Sequence, residues 1–243
     1  YGTGKREENL RGYFAAISAM DEQIGRLLDA VEEQGLADNT VILFTADNGM
    51  SMGQHGVWGK GNGTFPMNMY DSAVKVPFLI SWPGHIPANT VCSEMISACD
   101  LLPTILKLTG LSDKQPTGLP GRSFTELLKG EQRDHRDEVV IFDEYGPVRM
   151  IRTKEWKYVH RYPYGKHELY HLVDDPGEEK NLYGLPEYKK LVTQLKGRME
   201  KWFCTYSDPA IDGVRSAVNG SGQLCRPGVY AIYEDPFAPK GVE

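Results

Sequence analysis

Several absences narrow what this sequence can do. No apolar run approaches the roughly 18 residues that cross a bilayer as a helix. No block of five or more basic residues occurs and the net charge is −6, so nothing favours a nucleic acid as partner. Cysteine is scarce. Cys92, Cys99, Cys204 and Cys225 form no Cys-X-X-Cys pair, which disfavours a zinc ribbon or a thioredoxin-like site. They read as buried free thiols, with Cys204 and Cys225 able to close a late loop in an oxidising compartment. Neither an initiator Met nor an apolar signal core is present in "YGTGKREENL", which enters a helical pattern almost at once. That start reads as a piece of a longer or processed protein, and the compartment is not legible from it. No internal repeat is present.

What is present has the composition of an ordinary globular protein, 40% hydrophobic and 25% charged over 243 residues. That length holds one large domain or a domain and a half. Leu10, Tyr13, Phe14, Ile17, Met20, Ile24, Leu27, Leu28 and Val31 recur at helical steps, so residues 8–34 are expected to form an amphipathic helix stopped at Gly35. "TVILFTAD" (40–47) follows as a buried strand, and helix followed by buried strand signals an α/β fold. "KVPFLISWPG" (75–84) reads as a second buried strand stopped by Pro83-Gly84. Residues 99–110 read as a helix capped by Asp100, with Pro103 in its first turn and Gly110 at its end. A short helix is expected at 122–129. From about residue 138 short aromatic and β-branched runs predict an antiparallel sheet, closed by an amphipathic helix at 185–203. Residues 206–243 show no periodicity and read as an irregular surface tail.

The segment richest in chemistry is "FTADNGMSMGQHGVWGKGNG" (44–63). Ligands of open α/β sheets bind beyond the carboxyl ends of strands, where Asp47 and Asn48 lie. A carboxylate and an amide oxygen suit a hard divalent cation such as calcium, which takes six to eight oxygens, so further ligands are needed. Read alone, Asp-Asn-Gly is equally a hairpin turn, although "MSMGQHG" does not alternate as a returning strand should. Gly59 and Gly61 flank Lys60, letting backbone and ammonium approach an anion. Taken singly, Lys60 and His55 are each as readily solvated loop residues, and Trp58 a packing residue.

Together, "FTADNG", "GQHGVWGKG", "NMYDSAVKVPFLISWPG" and "DLLPTILKLTG", in that order, resemble the sulfatase family of the alkaline-phosphatase-like superfamily. "IRTKEWKYV" and "ELYHLVDDPGEEKNL" are similar to its carboxyl-terminal subdomain, and the resemblance covers roughly residues 10–205. It implies an alkaline-phosphatase-like mixed sheet with flanking helices. Residues 1–137 would be the later part of the catalytic domain, 138–205 an antiparallel subdomain, and 206–243 a tail outside the pattern. It also implies that Asp47 and Asn48 ligate calcium, that Lys60 is a catalytic residue contacting sulfate oxygens, and that His55 is a catalytic residue near the substrate. The family's nucleophile is a formylglycine made within a Cys/Ser-X-Pro/Ala-X-Arg motif, and no segment here fits. Cys225 comes nearest in "CRPGV" but lacks the arginine. The nucleophile, the remaining metal-binding aspartates and a His–Lys pair are therefore expected upstream. The implied reaction hydrolyses sulfate esters of small molecules or carbohydrates: the hydrated aldehyde attacks sulfur, while calcium and Lys60 hold the sulfate oxygens. The resemblance points to a periplasmic, extracellular or lysosomal setting. Two rivals stand beside it. One is a phosphoesterase or phosphonate hydrolase of the same superfamily, in which Asp-His is common where this chain has Asp47-Asn48. The other is a non-catalytic scaffold piece.

Overall fold

The computed structural model describes residues 6–64, 66–131, 135–143, 146–162, 165–210 and 212–215. The chain divides into two units, one ending at Ala88 and one beginning at Asn89. No helix among the described residues is long and apolar enough to cross a membrane.

In the first unit the helical pattern forms α1 (Arg6–Glu33). It ends where Gly35 takes φ +66° and the Leu36 N–H reaches back to the Val31 carbonyl at 3.0 Å, a closure that favours glycine. Its apolar stripe faces no core among the described residues. None of its side chains is buried, and Phe14 and Leu27 are 60% and 67% exposed. β1 (Ile42–Thr45) pairs antiparallel with β4 (Phe78–Ser81), Ile42 opposite Ser81 and Thr45 opposite Phe78. Both were expected to be buried, yet β1 is half-buried and β4 alternates between half-buried and exposed. Among the described residues this ribbon has no further strand to close its edges, so apolar sequence alone does not bury it. Between them lie the small hairpin strands β2 (Ser51–Met52) and β3 (Trp58–Gly59) and the one-turn helix α2 (Asp71–Val74).

The second unit carries α3 (Leu101–Leu108), α4 (Thr125–Leu128) and a sheet of β5 (Val139–Phe142), β6 (Val148–Arg152), β7 (Trp156–Arg161) and β8 (Glu168–His171), antiparallel in chain order. The expected strands are present, with Trp156, Tyr158 and Tyr170 on them. Register places Val140, Ile151, Tyr158 and Leu169 in one row across the sheet. α5 (Lys189–Tyr206) lays Leu195, Met199 and Phe203, spaced at four residues, on that row to form the core. On the opposite face Met150, Val159 and Lys157 are also buried, and Lys157 Nζ lies 2.6 Å from Glu178 Oε1.

Three further sequence expectations need correction. Asp100 is not a simple cap of α3. Ser97 caps the preceding turn, and Asp100 completes a capping box by accepting the Ser97 N–H at 2.8 Å. Cys92, Cys99 and Cys204 are free thiols as expected but exposed rather than buried, while Cys225 lies outside the described residues. The helix expected at 122–129 is a single turn, Thr125–Leu128, entered through hydroxyl contacts of Ser123 with Thr125. In the tail, Gly213–Arg215 forms a turn, and Asp212 pairs with the buried Arg149. Residues 216–243 lie outside the described set.

The core face also carries an acid-sensitive pair. Tyr158 and His160 alternate onto the α5 side of β7, and the Tyr158 hydroxyl and His160 Nδ1 share a hydrogen bond at 2.6 Å. His167 from β8's approach stacks on His160 at 4.0 Å, and its Nδ1 accepts the Arg161 N–H. Burial, then the neighbouring His167, Lys196 and Arg149, hold His160 down at about 3. Burial, then Arg161 and Lys196, lower His167. Burial raises Tyr158, which keeps its proton. An unfolded histidine takes its proton near 6.5 while the folded one refuses it, so this stability is present above pH 6.5 and is lost as pH falls towards 3. The loss should approach about 1.4 kcal/mol per pH unit for His160, with His167 adding in the same direction. Urea titrations across that window should show the wild-type midpoint falling, and a flatter pH dependence in His160→Phe. An equal slope in both proteins would assign the acid sensitivity to other groups.

Candidate active-site loop

After Thr45 the chain turns by local side-chain chemistry. Asp47 Oδ1 accepts the Asn48 N–H at 2.9 Å, and Asn48 Nδ2 donates to the Gly49 carbonyl at 2.9 Å. Gly49 then runs against the end of α2. Its N–H donates to the Ala73 carbonyl at 2.8 Å, and a Cβ there would sit 2.2 Å from the Ser72 carbonyl oxygen, so only glycine passes. The Ser51 and Ser72 hydroxyls hydrogen-bond at 2.7 Å and fasten the same junction.

The Asp-Asn-Gly turn does not return as a hairpin onto β1. β2 pairs with β3 instead, Ser51 opposite Gly59 and Met52 opposite Trp58. Gly53, at φ +103°, makes room for Trp58, whose Cζ2 would lie 3.1 Å from a Cβ at position 53. Trp58 is thus a packing residue of the hairpin. Extending the register by one residue sets Lys60 opposite Met50, two residues beyond Asn48. Lys60 is exposed, and among the described residues no carboxylate pairs with it. Asp47 is exposed and Asn48 half-buried at the same open end of the hairpin.

His55 occupies the turn at the hairpin's other end. It is one of the few non-glycine residues with positive φ, +54°, and its ring stacks on Tyr70 at 3.7 Å with 4° between the planes. The register therefore puts His55 at the turn of the hairpin and Lys60 at its open end, the end into which Asp47 and Asn48 lead along the chain. Tyr70 was not singled out from sequence. Its only signal was an aromatic in "NMYD", and the stack joins positions too far apart for any periodic pattern.

The oxygen donors fit a hard cation in part. The turn uses Asp47 Oδ1 and Asn48 Nδ2, so one carboxylate oxygen and the amide oxygen remain available for coordination. Among the described residues no group of three or more His, Cys, Asp or Glu side chains is placed to hold a metal. Asp47 and Asn48 would therefore supply a minority of a calcium shell.

The second unit has a groove of about 910 Å³ lined by cations, among them Arg136, Lys154 and Arg198, and by Trp156 and Trp202. Those cations already pair with Asp100, Glu94 and Glu138.

Comparison with known proteins bears on this loop. Residues 53–204 match the family model described as N-sulphoglucosamine sulphohydrolase, C-terminal. The chain is 31% identical over 214 residues to an ulvan-active sulfatase of Formosa agariphila, covering 84% of this chain and 40% of that protein. It resembles a solved structure in complex with its substrate D-glucosamine-2-N,6-O-disulfate, at 29% identity and a TM-score of 0.74, covering 86% of this chain and 43% of that one. It also resembles the phosphonate monoester hydrolase of Agrobacterium radiobacter, at 26% identity and a TM-score of 0.68, covering 82% and 42%. The chain spans about two fifths of the length of the curated relatives it matches. These neighbours carry the alkaline-phosphatase-like fold, and the mixed α/β first unit with the antiparallel sheet and closing helix of the second conforms to it.

Proposed function

The chain belongs to the sulfatase family, and on that premise we propose that it forms the carboxyl-terminal portion of a sulfuric ester hydrolase. The reaction releases inorganic sulfate and an alcohol from a small-molecule or carbohydrate sulfate ester. The observation that carries this reading is Lys60: an exposed ammonium, flanked by glycines and without a carboxylate partner among the described residues, at the hairpin end that also holds Asp47 and Asn48.

The residues of this chain bind and neutralise rather than attack. Lys60 offers three donors to a tetrahedral oxyanion, and Gly59 and Gly61 let the backbone come close. A fixed cation counts for most where charge builds on the sulfate oxygens and the leaving group. Asp47 and Asn48 would hold part of a calcium site, and bound calcium would add positive charge beside those oxygens. An amide oxygen at Asn48 suits calcium, whereas an imidazole there would favour zinc-like ions, as in the phosphoesterase alternative. His55, stacked on Tyr70 at the turn of the hairpin, is assigned a place near the substrate. The formylglycine nucleophile is not encoded by any motif in these residues, so it belongs to another part of the enzyme.

The test is a substrate panel on the full-length enzyme: an aryl sulfate, sulfated monosaccharides and a phosphonate monoester. Sulfate release is expected from at least one ester, falling on chelation and returning with calcium, and none is expected from the 243-residue chain by itself. Faster turnover of the phosphonate monoester than of every sulfate would overturn the assignment. Turnover by the isolated chain would overturn the division of labour.

A further inference from the structure

Lys60 can meet an anion productively only if the backbone beneath it is held, and Gly59, Gly61 and Gly63 give that stretch little stiffness of its own. The holding comes from across the loop. Asn68 is only 3% exposed. Its N–H donates to the Gly61 carbonyl at 2.9 Å. Its Nδ2 donates to the carbonyls of Gly61 at 3.0 Å and Lys60 at 3.3 Å, and approaches Thr64 Oγ1 at 3.4 Å. The Lys60 carbonyl also receives the Gly63 N–H at 2.9 Å, so it is fixed from two directions. A Cβ on Gly61 would come 3.1 Å from the Asn68 carbonyl oxygen, a tight approach that glycine avoids. Every donor of the Asn68 amide is turned to residues 60–64, while its buried Oδ1 finds no partner among the described residues. A buried amide that leaves its acceptor unmet calls for an explanation, and the contacts it does make all fix the loop under Lys60.

We propose that Asn68 is a positioning residue that sets the direction of the Lys60 side chain through its backbone, an inference that rests on reading Lys60 as the sulfate-binding cation. Asn68 would touch no substrate. A displaced Lys60 should cost up to about 10²-fold in turnover, because small misplacements of a catalytic cation are expensive.

The experiment is a double-mutant cycle in the full-length enzyme, with Lys60→Ala, Asn68→Ala and both together, assayed on an aryl sulfate. Labelling of Lys60 by an amine reagent, with and without inorganic sulfate, accompanies it. Asn68→Ala is expected to lower kcat in the wild-type background, to lower it no further in the Lys60→Ala background, and to abolish the protection that sulfate gives Lys60. If Asn68→Ala lowers the folded yield, Asn68→Ser, which keeps a short donor, carries the same measurements and is expected to retain more activity than a purely structural loss would allow. Equal fractional losses in both backgrounds, or unchanged protection in the variant, would overturn the positioning role while leaving Lys60 in place. Absence of sulfate protection in the wild-type enzyme would instead overturn the reading of Lys60 itself.

Discussion

Replacing Lys60 by alanine in the full-length enzyme should lower kcat/KM for a sulfate ester by on the order of 10²–10³, with no matching loss of stability. On the proposed reading the contact at stake is a charge-assisted one that strengthens as negative charge develops, so the loss should appear mainly in kcat. Lys60 is exposed and pairs with no carboxylate among the described residues, so its removal leaves nothing buried and unpaired, and the melting temperature should stay within about a degree or two. Lys60→Arg should not restore the rate: a planar fork on a glycine-flanked turn does not reproduce a compact ammonium. Wild-type turnover in a normally folded Lys60→Ala enzyme would place the anion site elsewhere.

Asp100→Ala should act in the opposite manner, sparing the loop chemistry and destabilising the second unit by about 3–5 kcal/mol. Asp100 is wholly buried, and its two oxygens satisfy four groups. It accepts the Ser97 N–H at 2.8 Å and the Arg122 N–H at 2.7 Å, and it takes a two-point contact from the buried Arg136 guanidinium. The single carboxylate thereby ties the start of α3 to the segment at 122 and to the strand approach at 136. Alanine removes the capping box and strands a buried positive charge, which costs more than the pair itself contributes. Asp100→Asn keeps an acceptor and should fall between the two. The measurement is the denaturant midpoint at unchanged slope. A shift worth under about 1 kcal/mol would mean that water reaches Arg136 and compensates for the lost carboxylate.

The two sites differ in how far the chain alone reveals them. Turn chemistry is local, so Asp47, Asn48 and the glycines around Lys60 stand within a few residues of the backbone they shape, and the loop could be read directly. The same holds for the sheet and α5, where alternation and four-residue spacing report which faces must be covered. Asp100 was legible only as a helix start, because its guanidinium partner lies 36 positions away. Tyr70 beneath His55 and Asn68 beneath Lys60 escaped notice for the same reason. An aromatic or an amide carries no mark of what it will touch once the chain doubles back.

Burial shows the boundary most clearly. The apolar runs of α1, β1 and β4 specified what each element would hide if covered, and the sequence determined their type and position well. Whether they are covered depends on neighbouring layers, and a helix without a buried side chain and a half-exposed two-stranded ribbon are the result here. Apolar patterning is a property of one segment, whereas desolvation needs two surfaces in contact, so the sequence by itself determined the elements and the loop's turn residues while only the tertiary structure decided which faces close, which charges pair and which groups hydrogen-bond the backbone at Lys60.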